Sequence, residues 1–116
     1  MPNQLQITLR DMSPSNALEA RIRRALQRLE RLYSGIMGCR VVVEAPHHRQ
    51  REGRQFVVRL DLAVPGDEIV VNRDHHEDLY VALRDAFDAA RRQLDRRARR
   101  QRGQVKAYRR SGTERA

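Results

Sequence analysis

The chain has 116 residues, of which 40% are hydrophobic and 34% charged, and this size fits one domain with a modest core. It has one cysteine, which excludes an intramolecular disulfide, and no apolar run approaches the roughly 18 residues that span a bilayer. The N-terminus lacks a charged-then-apolar signal pattern, and together these features indicate a soluble cytoplasmic protein with no membrane partner.

The first third of the chain predicts a strand followed by a helix. Residues 4–10 alternate between polar and apolar side chains, which is the period of a half-buried strand. Asn16 with Glu19 three residues later resembles a capping box, and Ser13 is a competing helix start. Apolar residues then recur at helical spacing: Leu18, Ile22, Ala25, Leu29 and Leu32. Gly35 is expected to end this helix in a left-handed cap conformation.

The remainder of the chain predicts three more strands and a second helix. The strands are expected at 38–45, 56–64 and about 68–72, with a loop over 46–53. Pro65-Gly66 favours a type II turn, which makes the last two strands a hairpin. Asp74 or a neighbour is expected to cap the second helix. One face of that helix is apolar: Leu79, Leu83, Ala86, Phe87, Ala90 and Leu94.

The element order β-α-β-β-β-α predicts an α+β fold. We expect a two-layer sandwich, in which a four-stranded mixed sheet carries both helices on one face. Because the first helix connects the first two strands as a crossover, those strands should be parallel neighbours, and the others should pair as antiparallel hairpins. Residues 1–102 are expected to form the folded domain, and residues 103–116, which lack periodicity, a basic flexible tail.

The positive charge is concentrated near the C-terminus. Between Arg91 and Arg110, nine arginines and Lys106 oppose the single acid Asp95, which accounts for the net charge of +9 because the rest of the chain sums to zero. A neutral body with a dense arginine extension is typical of polyanion-binding proteins. Since arginine has a planar donor fork and stacks on bases, the bias favours RNA. The alternative is a solvated basic tail with no single partner.

Both helices carry arginines outside their apolar faces. On the first helix four arginines share one exposed stripe: Arg21, Arg24, Arg28 and Arg31. On the second helix the apolar face ends at Leu94, and the arginines beyond it occupy every side, so this end should project past the sheet as a cationic rod. If the first stripe lies alongside Arg91, Arg92 and Arg96, the two helices form one basic ridge. Charge that serves only solubility is the alternative.

Several short runs of sequence resemble a known family. The second helix contains DLYVALRDA at 78–86 and RQL at 92–94, and the first strand and helix contain LQIT at 5–8 and LERLY at 29–33. These runs and the element order resemble the ribosome hibernation-promoting factor family, also called ribosome-associated inhibitor A and sigma-54 modulation protein, over residues 4–100. The resemblance is to the short form, so ribosome pairing through a separate dimerisation domain is not expected.

The resemblance implies a protein that binds rRNA of the small ribosomal subunit at the decoding region. There it would occupy the path of mRNA and the A- and P-site tRNAs and silence idle ribosomes. Basic residues of both helices would contact rRNA: Arg21, Arg24, Arg28, Arg31, Arg84, Arg91, Arg92 and Arg96. The charge pattern adds Arg97, Arg99 and Arg100 from the rod. Tyr80 and Asp85 match the family signature but have structural alternatives, the tyrosine resting on the sheet edge and the aspartate pairing along its helix.

Other chemistry is weakly represented in the sequence. The adjacent pairs His47-His48 and His75-His76 lack the partners of a tetrahedral metal site, so neither a metal nor a cofactor is expected. No nucleophile motif or phosphate-binding glycine loop is present, and we expect neither an enzyme nor a small-molecule substrate. A general structured-RNA binder and a protein-interaction module that modulates a transcription factor stay open as alternatives. The oligomeric state also stays open, with a monomer favoured.

Overall fold

The computed structural model describes the backbone of residues 4–45, 55–76 and 78–114, and the side chains of 4–45, 55–73 and 78–103. The elements follow the predicted order β-α-β-β-β-α. Their bounds are β1 Gln4–Arg10, α1 Asn16–Leu32, β2 Gly38–Glu44, β3 Phe56–Val64, β4 Asp67–His76 and α2 Leu79–Glu114. The predicted α+β fold is therefore confirmed.

The four strands form one mixed sheet in the order β1-β2-β3-β4. β1 and β2 are parallel, with Gln4 opposite Gly38, and the other two neighbouring pairs are antiparallel, as predicted. Gly66 has φ 72°, which the second central residue of a type II turn requires, so the tight β3–β4 turn forms where it was expected. β4 is longer than predicted and continues to His76, which lies opposite Phe56.

The core lies between one face of the sheet and the two helices. Alternate residues of the strands point into it, and Val41, Leu60 and Leu62 are completely buried. α1 contributes four buried residues: Leu18, Ile22, Leu26 and Leu29. Leu32 was expected on this apolar face, but it is 64% exposed at the end of the helix, and Leu26 is buried instead.

The start and end of α1 differ from the sequence prediction. Ser15 is the N-cap, since its hydroxyl accepts a hydrogen bond of 3.2 Å from the Leu18 N–H. The capping box expected at Asn16 and the alternative start at Ser13 are therefore wrong. At the other end Tyr33 is the cap in an extended conformation, with φ −135°. The left-handed glycine cap predicted two residues later is absent, because Gly66 is the only glycine with positive φ in the described chain.

α2 also begins differently and continues further than predicted. Its cap is Asp78, whose Oδ1 accepts hydrogen bonds from the N–H groups of Tyr80 and Val81 at 2.9 and 3.2 Å. Asp74, the predicted cap, lies inside β4. The helix then runs without a break to Glu114, so residues 103–114 are helical where an irregular tail was expected. The flexibility of that segment stays a prediction. We call residues 95–114 the α2 extension, since Leu94 is the last buried residue among the side chains that the structure describes.

Candidate nucleic-acid interface

α1 and α2 lie side by side on the sheet and enclose a groove between them. Near the N-terminal ends of the two helices Arg21 contacts Tyr80. Further along, just after α1, the Tyr33 hydroxyl donates a hydrogen bond to the Asp95 carboxylate of α2. The two helices therefore run parallel. The interhelical groove has a volume of about 680 Å³. It is lined by Arg21, Arg24, Ala25, Arg28, Leu29 and Leu32 of α1 and by Tyr80, Leu83, Arg84, Phe87, Asp88 and Arg91 of α2.

Helical periodicity explains why arginines border this groove. Arg21, Arg24 and Arg28 are separated by three and four residues, so they lie on one stripe of α1 next to its buried face. The floor of the groove is apolar, and its side chains belong to the core, with Leu83 2% and Phe87 7% exposed. The groove therefore combines a cationic rim with an apolar floor.

The rim is strongly positive and largely unpaired. Among the described residues that line the groove, five arginines oppose the single carboxylate of Asp88. Within the part of the chain whose side chains are described, Arg24, Arg28 and Arg91 form no ion pair. Their guanidinium groups are available to a ligand, and several like charges around one concave surface attract a polyanion.

Two residues of the family signature have defined contacts. The guanidinium carbon of Arg21 lies 4.4 Å from the ring centroid of Tyr80, which is a cation–π contact across the groove. Tyr80 thus faces α1 and is 42% exposed, whereas the structural alternative had it resting on the sheet edge. Asp85 lies 3.8 Å from Arg84, its neighbour in the chain. Because both side chains are well exposed, this pair contributes little to stability.

The structure brings together only part of the predicted basic ridge. Five of the predicted residues line the interhelical groove: Arg21, Arg24, Arg28, Arg84 and Arg91. Arg31, Arg92 and Arg96 are exposed but lie outside it. In the α2 extension, Arg99 borders a second recess beside Tyr33 and Asp95, and Arg100 is exposed.

Arg97 differs from the other predicted RNA-binding arginines. Its Nη2 donates a hydrogen bond of 2.5 Å to the main-chain oxygen of Pro65, and its Nε lies 3.9 Å from Oδ2 of Asp67. The side chain is only 17% exposed. The α2 extension therefore keeps a contact with the sandwich beyond the core, because Arg97 is held against the β3–β4 turn.

Other kinds of site find little support in the described residues. Cys39 is buried, and this burial, with smaller contributions from the Asp61 and Glu30 carboxylates, raises the pKa of its thiol to about 12. No group of three or more potential metal ligands occurs among the described side chains. Both histidine pairs lie outside those side chains. No helix in the described part of the chain has the length and apolar character needed to cross a bilayer.

The fold and the groove define a small α+β module in which arginines line a groove between two helices. Residues 5–102 match the family described as Sigma 54 modulation protein / S30EA ribosomal protein, and the chain belongs to that family. Its members are ribosome-associated, non-enzymatic factors, which agrees with the expectation that this chain is not an enzyme.

Two solved structures share the fold. The N-terminal domain of Protein Y from Thermus thermophilus is 23% identical, with a TM-score of 0.70, and the match covers 82% of this chain and 98% of that one. A ribosomal subunit interface protein from Coxiella burnetii is 17% identical, with a TM-score of 0.68, and the match covers 82% and 97%. At these identities the similarity establishes the fold alone. Among curated proteins the sequence has no significant match.

Proposed function

We propose that this protein binds rRNA of the small ribosomal subunit through the interhelical groove and acts as a hibernation factor. The observation that carries the proposal is the set of unpaired arginines from two parallel helices on the rim of one groove. Membership of a ribosome-associated family supports a ribosomal partner over other polyanions. Such a partner implies a cytoplasmic protein.

The rim arginines would contact phosphate oxygens. Guanidinium groups bind phosphates through two parallel hydrogen bonds, and each contact releases counterions from the RNA. With roughly six to ten such contacts, affinity falls about 10³- to 10⁵-fold between 50 and 200 mM salt. The groove supplies five arginines, so the α2 extension must add further contacts to reach that range.

The α2 extension is the second part of the proposed contact surface. It spans about 30 Å beyond Leu94, at a rise of 1.5 Å per residue. Arg96, Arg99 and Arg100 are exposed on it. This surface continues from the groove because Arg91 lies at the groove and Arg99 two turns further along the same helix. A polyanion bound in the groove would therefore also meet the α2 extension.

Inhibition would be steric. A sandwich seated in the decoding region, as the family resemblance implies, would occupy the space that mRNA and the A- and P-site tRNAs need. Phosphate contacts position a protein but carry no sequence information, so the target would be selected by the shape of the RNA surface. No chemical step is required of any residue.

A sucrose gradient of the protein with its own ribosomes tests this proposal. The protein should migrate with the small subunit and with whole ribosomes at low salt and leave them at high salt. A plain RNA duplex serves as the comparison, because equal affinity for the duplex and the subunit would favour a general structured-RNA binder. A protein that stays at the top of the gradient at low salt would contradict the ribosomal function.

A further inference from the structure

We propose that the interhelical groove takes one unstacked nucleobase, which lies against Arg21 at the end of the groove that Tyr80 lines. This inference rests on the proposed function, since the base would belong to the bound rRNA. It adds a base-recognising subsite to a surface that would otherwise contact phosphates alone.

The first support is the contact between Arg21 and Tyr80. With its guanidinium 4.4 Å from the ring centroid, Arg21 is held over an aromatic face instead of extending into solvent. The backbone of Tyr80 is fixed in the first turn of α2, where its main-chain N–H donates to the capping carboxylate of Asp78 at 2.9 Å. Guanidinium planes and aromatic rings are the two platforms on which proteins stack unpaired bases. Here the two occur as one preformed pair on rigid elements.

The second support is the character of the groove beneath that pair. Its volume of about 680 Å³ lies in the range of small-molecule sites, and Ala25, Leu29 and Leu83 form an apolar floor. Phosphate oxygens gain nothing from an apolar floor, since burying a charge there is unfavourable. The faces of a nucleobase, by contrast, are apolar and are suited to it.

The third support is the placement of the neighbouring charges. Arg24 and Arg28 follow Arg21 along α1 by rises of about 4.5 and 10.5 Å, and Arg91 lies on the opposite wall. A strand whose base is inserted at Arg21 therefore passes unpaired arginines on both walls. The phosphates on either side of the inserted base would contact these arginines within the groove.

A helix of a protein partner fits the groove less well. Leu29, Leu83 and Phe87 are 4%, 2% and 7% exposed, so the apolar area of the floor is small, and it is narrower than the apolar face of a helix. Leu32, which is well exposed, lies at the opposite end of α1 from Arg21. The cationic rim also repels basic segments. These features favour a nucleotide, which needs a narrow apolar slot and nearby positive charge.

The test compares a short single-stranded RNA with a strand of the same length and charge that lacks its bases. Wild-type protein should bind the strand with bases about 5- to 100-fold more tightly, as expected for one stacked base. Tyr80→Ala should abolish this preference, and Tyr80→Phe should retain it. Thermal unfolding checks that both variants are folded. Because Tyr80→Phe keeps the ring and loses only the hydroxyl, a retained preference in this variant shows that the ring is the part that is needed.

Two outcomes would overturn the inference. One is equal binding of both strands by a wild-type protein that still migrates with the small subunit, which would leave the proposed function intact. The other is an unchanged preference for bases in a folded Tyr80→Ala variant. A wild-type protein that binds neither subunits nor RNA would instead contradict the proposed function, so the two failures are distinguishable.

Discussion

Arg97 of α2 donates a hydrogen bond of 2.5 Å to the main-chain oxygen of Pro65 in the turn between β3 and β4. The same side chain lies 3.9 Å from the Asp67 carboxylate. Two residues earlier on α2, the Asp95 carboxylate accepts a hydrogen bond from the Tyr33 hydroxyl. These contacts attach the α2 extension to the sandwich just beyond the core. They fix the direction in which the arginines further along the helix project.

Replacement of this anchor is expected to loosen the α2 extension. Arg97→Ala removes a partly buried, charged hydrogen bond, and we expect a loss of about 1–2 kcal/mol in the free energy of unfolding. Amide hydrogen exchange in residues 95–103 should become faster. Arg100→Ala is the matched control, because this exposed arginine should change the free energy of unfolding by less than about 0.5 kcal/mol. Equal effects of the two substitutions would show that Arg97 is not an anchor.

The N-cap of α1 gives a second prediction. Ser15→Ala should lower the free energy of unfolding by about 1 kcal/mol, because the Leu18 N–H loses its acceptor. Asn16→Ala should be close to neutral, although Asn16 was the residue that the sequence pattern favoured as the cap. Urea unfolding of both variants measures the difference. A larger loss for Asn16→Ala would contradict the assignment of Ser15.

The buried thiol predicts an alkaline pH dependence. The pKa of Cys39 is about 12 in the folded protein and near 8.5–9 in an unfolded chain, so the unfolded state releases its proton first. Stability should therefore fall as the pH rises from about 9 towards 12, by up to about 1.4 kcal/mol per pH unit. Cys39→Ala should have a flatter profile over that range. If denaturant midpoints of both proteins decline in parallel, the thiol is not the cause.

Single rim substitutions should change the salt dependence of binding. Arg28→Gln removes one proposed phosphate contact, so the slope of log affinity against log salt should decrease by roughly 0.7–0.9. Affinity for small subunits should fall most at low salt and converge with wild type at high salt. Arg40→Gln on the outer face of the sheet serves as the control and should leave the slope unchanged. If the slope for Arg28→Gln equals that of the wild-type protein, Arg28 does not contact a phosphate.

Much of the fold could be predicted from the sequence because it depends on periodicity. Alternation with a period of two identifies the strands, and the crossover length of α1 requires β1 and β2 to be parallel. The helix ends were harder to predict, since Ser13, Ser15 and Asn16 are all good caps and only the chain path selects among them. The length of α2 was underestimated because its last turns have no apolar face to reveal a helix.

The candidate site was predicted in composition but not in arrangement. Counting arginines identifies a cationic surface, yet it cannot show that Arg97 meets a turn 32 residues earlier. The contact between Arg21 and Tyr80 likewise depends on how two distant helices pack. The tyrosine in the family signature was the one signal that could have indicated it. Helix packing thus turned an expected ridge into a groove with an apolar floor.

Co-sedimentation with small ribosomal subunits tests the central claim most directly, using two variants with the same change in net charge. One reverses three rim arginines, Arg24, Arg28 and Arg91, to glutamate. The other reverses three exposed arginines on the outer face of the sheet: Arg10, Arg40 and Arg59. We predict that the rim variant remains folded but no longer sediments with the subunit at low salt, whereas the outer-face variant does. Equal sedimentation of the two variants would contradict a binding surface in the interhelical groove.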